Sequence, residues 1–163
     1  MKQNELAILI GFDQDSEERL IKIQNHIYDN DFGGTQPKSY PYHILAKTIS
    51  YEYKDTSIKL LLKINKQHKA FPLFIDKPMI TDDRRGLALH CQFVQDLSEL
   101  SDQLNTQINK AEIILLTDTS DVIEQAYQLL LPTFEPLTVT VSKLHLYNID
   151  VSQHLLTVEL KHE

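Results

Sequence analysis

The sequence predicts an α+β fold made of two related halves, and three observations carry that prediction. Short branched apolar runs alternate with amphipathic segments in the order β α β α β, then β α β α β β. Residues 6 to 27, "LAILIGFDQDSEERLIKIQNHI", lie over residues 87 to 108, "LALHCQFVQDLSELSDQLNTQI", with Leu6/Leu87, Ala7/Ala88, Phe12/Phe93, Gln14/Gln95, Asp15/Asp96, Glu18/Glu99 and Ile27/Ile108 identical at one offset. The later passages "KAFPLFID" and "PTFEPLTV" also match. Internal duplication explains all three, although shared capping and apolar patterning of two strand-helix units would produce some of the identities.

In order, "ELAILIGF" is a strand, and "DQDSEERLIKIQNHIYDN" is a helix with Asp15 or Ser16 as cap and Leu20, Ile23 and Ile27 on its apolar face. "DFGGTQPKSYP" reads as a loop, "YHILAKTIS" as a strand and "DTSIKLLLKINKQHK" as a helix capped by Asp55 or Thr56. "AFPLFIDKPMI" is a strand whose prolines suit an edge or a bulge, and "TDDRRG" is a turn in which Arg84 and Arg85 either pair locally with Asp82 and Asp83 or bind phosphate, local pairing being the expectation. "LALHCQFV" is a strand, "QDLSELSDQLNTQINK" a helix, and "AEIILLT", "DTSDVIEQAYQLLL", "FEPLTVTVSKLHLYNI" and "HLLTVELK" are strand, helix, long strand and final strand. The expected body is a single domain over 1–163, with lobes at about 1–81 and 86–163 and a cleft between them, a common place for a ligand.

Composition narrows function. The chain has 163 residues, 24% charged and 42% hydrophobic, and no apolar run reaches the ~18 residues of a membrane span. The start lacks the basic, then apolar, pattern of a signal peptide, so a cytoplasmic location is expected. A net charge of −7 opposes broad binding to a nucleic-acid backbone and leaves recognition of a nucleotide or an RNA end open. The single Cys91 has no disulfide partner and reads as a buried strand residue, and the seven histidines show no metal-ligand spacing, so neither metal nor cofactor is expected.

The strand after the first helix begins "YHILA" and its counterpart begins "AEIIL", which sets Glu112 against His43 and Ile114 against Leu45. Within each strand, residues i and i+2 share a face. His43 is either a histidine at a strand start, a ligand-binding group or a catalytic one; Glu112 is either a solvated edge carboxylate or a cleft acid. His90 points with Ala88 and Gln92 to the less apolar face of its strand, and His145 and Tyr147 share a face with Lys143, where they line a groove or a solvated sheet face.

With "PYHIL", the duplicated element order and the stretch "AEIILLTDTSDVIEQAYQLLLPTFEPLTVTVSKLHLY", nearly the whole chain resembles the 2H phosphoesterases, which include bacterial 2′-5′ RNA ligase-like proteins and cyclic phosphodiesterases. That resemblance implies a bilobal fold with antiparallel sheets around a central cleft. It also implies two His-x-Thr/Ser-x motifs, whose histidines serve as general base and acid on a 2′,3′-cyclic or 2′-5′ phosphodiester and whose hydroxyls bind phosphate oxygens, without a metal. Here the motifs read His43-Ile44-Leu45-Ala46 and Glu112-Ile113-Ile114-Leu115, which keep one residue of four. The expectation is a divergent member with lost or strongly reduced hydrolysis, its cleft lined by Leu45, Ile114, His90, His145 and Tyr147. The alternatives are an active phosphodiesterase using His43 with Glu112 or His90, and a non-catalytic protein-interaction module.

Overall fold

A computed structural model describes residues 4–30, 32 and 40–161, so the predicted loop at 31–41 lies largely outside the described residues. The elements are β1 (Glu5–Phe12), α1 (Gln14–Tyr28), β2 (Ile44–Ser50), α2 (Lys54–Gln67), β3 (Phe71–Ile80), β4 (Gly86–Cys91), α3 (Gln95–Gln103), β5 (Glu112–Thr117), α4 (Ser120–Leu130), β6 (Leu137–Asn148) and β7 (Gln153–Glu159). Their order is the predicted one.

The strands form one antiparallel sheet in the order β2-β1-β6-β3-β4-β5, with β7 also on β6. The twelve-residue β6 joins the lobes: its first part pairs with β3, its second with β7, and along its other side it pairs with β1. The two sequence halves thereby exchange their last strands, because β3 of the first half lies against β4 of the second while β6 of the second lies against β1 of the first.

Interior strand β3 carries two prolines without losing a ladder bond. Pro72 lies where β3 pairs with β6 alone, and Pro78 lies where it pairs with β4 alone, so each sits on a locally one-sided stretch. A bulge at Asp76 separates the two stretches.

Helix α1 is capped by Asp13, whose carboxylate accepts from Ser16 N at 2.9 Å, in place of the Asp15 or Ser16 cap expected. Ser16 is instead buried, and its hydroxyl accepts from Thr140 N at 2.8 Å, which docks the helix on β6 with Leu20, Gln24 and Ile27 on the same face. Helix α2 is entered through a 3₁₀ turn at Tyr51–Tyr53, with Tyr53 at the cap and no side-chain bond from it, so neither Asp55 nor Thr56 caps it. Helix α3 stops well before Lys110, since Asn105 turns left-handed (φ 56°) and Thr106 N bonds back to Ser101 O. In the β3–β4 turn, Arg84 pairs with Glu124 at 3.2 Å, whereas Arg85 acts locally as expected: its backbone N donates to Asp83 Oδ1 and, after the Thr81 hydroxyl bond, that bond and the Arg85 charge help to lower the Asp83 pKa.

The β-bulges supply an internal ruler for the duplication. In the β1–β2 ladder the skipped residue is Ala46, and in the β4–β5 ladder it is Leu115; in the β1–β6 ladder it is Ser142, and in the β3–β4 ladder it is Asp76. Matching bulge to bulge sets His43 against Glu112 and Leu45 against Ile114, as the strand starts do. It also sets Leu9 against Ala88 and Gly11 against His90, two residues away from the register of the sequence identities in β1 and β4. A bulge frees a backbone group from the ladder, and here each freed carbonyl is taken by a side chain of the other half: Thr106 Oγ1 donates to Ala46 O at 3.3 Å, and Gln24 Nε2 to Leu115 O at 2.6 Å.

Candidate functional site

The strand rows place the candidate residues in two related sets. Across β2, β1, β6 and β7 one row reads Leu45, Leu9, His145, Thr157, and beside it Gly11, Lys143 and Glu159 form the next, with His43 just before β2. In the second lobe, Ile114, Ala88 and Met79 form one row and Glu112, His90 and Lys77 the next. Lys143 and Lys77 thus occupy matching places after matching bulges, which no spacing in the sequence reveals.

The first set is rich in imidazole and phenol. His43 Nδ1 lies 2.7 Å from Pro41 O, and because a carbonyl only accepts, that nitrogen carries the proton and Nε2 is left as an acceptor. Burial lowers the His43 pKa, with the Pro41 bond acting the other way. Its position is anchored by the preceding Tyr42, whose buried hydroxyl donates to Gln24 Oε1, the same side chain that bonds Leu115 O. The Tyr40 ring stands edge-on to both His43 and Tyr147, with centroids 6.2 and 4.9 Å apart.

His145 is buried and its pKa is lowered to about 4, first by desolvation and then by Lys143, His154 and His43. Its Nδ1 is 2.8 Å from Thr157 Oγ1, which is also 2.7 Å from His154 Nε2. Gly11 is required here, since a Cβ on it would collide with the His145 ring at Nε2. Tyr40, His154 and Thr157 are not among the sequence candidates; His154 and Thr157 share a face only because the β6–β7 ladder has a bulge at Leu155 that breaks the period of two.

The second set is acidic. His90 Nδ1 is 2.6 Å from Asp76 Oδ1, a residue that projects from the bulge and carries no signal in the sequence. Desolvation works upward on the Asp76 carboxyl, but the bond and charge of His90, with Gln92, hold it below the usual range. Glu112, the cross-strand partner of His90, has an enclosed Oε2 without a hydrogen bond, and its pKa is raised chiefly by desolvation. Asp82, Lys110 and Glu112 line two adjoining cavities of about 790 and 610 Å³, with Ile114 in the larger and His90 in the smaller. Lys110 pairs with Asp82. Cys91 is buried, its thiol pushed up to about 12 by desolvation and by Asp76 and Glu112, so it is a poor nucleophile.

The structure therefore brings His43, His145 and Tyr147 together on one side and Glu112, His90 and Ile114 on the other. Leu45 and Ile114 are 51% and 40% exposed, high values for large apolar side chains on matched strand positions. Among the described residues, no group of three or more His, Cys, Asp or Glu is placed to hold a metal ion, and no helix is long and apolar enough to cross a membrane.

Solved structures share this fold over nearly the whole chain. E. coli LigT complexed with phosphate is 18% identical, with a TM-score of 0.66, over 99% of this chain and 100% of LigT. The chain has the 2H phosphoesterase fold. LigT complexed with 3′-AMP matches over the same shares with 18% identity and a TM-score of 0.64. TT0787 of Thermus thermophilus matches with 14% identity and a TM-score of 0.65, over 98% of this chain and 99% of that one. No protein-family model and no curated protein matches the sequence.

Proposed function

We propose that the cleft of this chain binds a nucleotide or an RNA end and hydrolyses phosphodiesters slowly or not at all. The observation that carries this reading is the pair Leu45 and Ile114, exposed and apolar at the matched positions where the 2H pattern has phosphate-binding hydroxyls. Losing one donor to a developing oxyanion costs about 10²–10³ in rate, and losing a positioned acid or base costs about 10²–10⁴. With two donors and one histidine replaced, several orders of magnitude are missing even without additivity.

Binding is less affected. His43 Nε2 is free of the Pro41 bond and accepts from a ribose hydroxyl, the tyrosines Tyr40 and Tyr147 offer aromatic faces and edges to a base, and Lys143 and Lys77 bring positive charge to each row. Structures of E. coli LigT with phosphate and with 3′-AMP support a ligand of this kind.

Thermal melting with 3′-AMP tests the reading. A ligand at 100 times its Kd adds about 2.7 kcal/mol, a rise of several degrees in Tm for a domain of this size. The expected result is that rise, reduced in His43→Ala, with no product from a 2′-5′ dinucleotide. Unchanged melting at millimolar 3′-AMP removes the proposal and favours the protein-interaction reading.

A second reading, residual hydrolysis, is favoured by one feature: His90, oriented by Asp76, stands across the ladder from Glu112, whose raised pKa suits an acid. It predicts turnover of a 2′,3′-cyclic nucleotide that is lost in both His43→Ala and Glu112→Gln.

A further inference from the structure

A separate cavity lies between α1 and the segment joining α4 to β6, and none of the residues in the two motif rows lines it. We infer that it binds a small organic anion with an apolar body, such as an alkyl or aryl phosphate or carboxylate. Its volume, about 410 Å³, falls within the ~300–1,000 Å³ of small-molecule sites.

The floor is apolar. Ile23, Phe134 and Leu137 pack against the core from one side and remain partly exposed on the other, with buried Leu130 beneath. The rim is basic, because Arg19, Lys22 and His26 follow at the i, i+3, i+7 spacing that stacks side chains on one helix face. His26 Nε2 also lies 3.4 Å from Thr133 Oγ1, so an imidazole and a hydroxyl converge on the same mouth.

Charge decides what fits. The protein carries a net charge of −7, yet among the residues that line this cavity two exposed cations and a histidine meet one acid, Glu135. No ion pair joins Arg19 or Lys22 to another described residue. Two exposed cations over an apolar floor favour a ligand whose charged head stays at the mouth and whose body displaces water from the floor.

Octyl phosphate titrated into the full chain and followed by amide chemical shifts and calorimetry tests this site. The expected shifts fall on Ile23, His26, Thr133 and Leu137. Binding weakens about tenfold or more in the double variant Arg19→Glu with Lys22→Glu, whose exposed positions leave the melting temperature unchanged. Octyl glucoside, with the same body and no charge, and inorganic phosphate, with the charge and no body, each bind at least about tenfold more weakly. Equal binding of octyl glucoside, insensitivity to the double variant, or shifts confined to residues around His43 and Glu112 would overturn the inference. Because the variants leave the motif rows untouched and the amide shifts report which site the probe occupies, this outcome is distinguishable from that of the 3′-AMP experiment.

Discussion

The two lobes keep the same scaffold and carry opposite chemistry. Each has a bulge in its motif strand, a bulge before the lysine of its second row, and an exposed aliphatic residue two positions after the motif residue. At those shared places the first lobe offers neutral imidazoles and tyrosines around His43 and His145, and the second offers carboxylates around Glu112 and Asp76. The bulges therefore match between the lobes at places where the side chains do not.

The strongest way to break the contrast is to restore the missing chemistry. Replacing Leu45→Thr, Ile114→Thr and Glu112→His together puts hydroxyls and a second imidazole at the matched strand positions. The expected outcome is a rise of about 10²-fold or more in hydrolysis of a 2′,3′-cyclic nucleotide over wild type, judged against the 10²–10³ credited to a single oxyanion donor. No gain in a folded variant shows that the two rows are not brought to one phosphate.

A smaller effect tests the structural half of the comparison. Gln24→Leu removes the acceptor that Gln24 offers the Tyr42 hydroxyl and the donor to the buried bulge carbonyl of Leu115, and a cost of about 1–3 kcal/mol is expected. Thr106→Val removes the matching bond to Ala46 O, which is longer and only partly buried, at a cost of about 0.5–1 kcal/mol. Denaturant unfolding of both variants reads the difference directly.

Much of this scaffold is legible in the sequence. Apolar alternation gives the strands and α-helices in their order, although the caps named for α1 and α2 are not the ones used, and the pairing of His43 with Glu112 follows from the two strand starts. The register error in β1 and β4 has a physical source: identities such as Leu6/Leu87 reflect what a buried strand requires, whereas the true correspondence is set by bulges at Ala46, Leu115, Ser142 and Asp76, which ordinary residues occupy without any turn signal. Asp76, Thr157 and Tyr40 are hidden for the same reason, since their place in the site depends on bulges or on tertiary contacts. Asn105 ends α3 by a left-handed turn that the apolar pattern, which continues to Ile108, does not announce.

The mildest effect is a difference in sign. His145 has its folded pKa depressed, to about 4 from 6.5, so the unfolded chain binds the proton first and the first lobe loses stability as pH falls from about 6.5 toward 4. Glu112 has its folded pKa raised above 4.5, so the folded chain holds the proton more tightly and stability is lost as pH rises past that value. At neutral pH, Glu112→Gln is therefore expected to raise Tm, with the gain shrinking toward pH 4, whereas His145→Gln flattens the acid-side loss. Parallel slopes in the two variants would show that the lobes do not differ as described.

The measurement that bears most directly on a cleft that binds without cleaving is ³¹P NMR of 2′,3′-cyclic AMP mixed with wild-type protein and with His43→Ala. The prediction is a phosphorus signal shifted or broadened by wild type, restored in the variant, and no product signal from either over many hours. A 2′- or 3′-AMP signal that grows with wild type and vanishes with His43→Ala would contradict it.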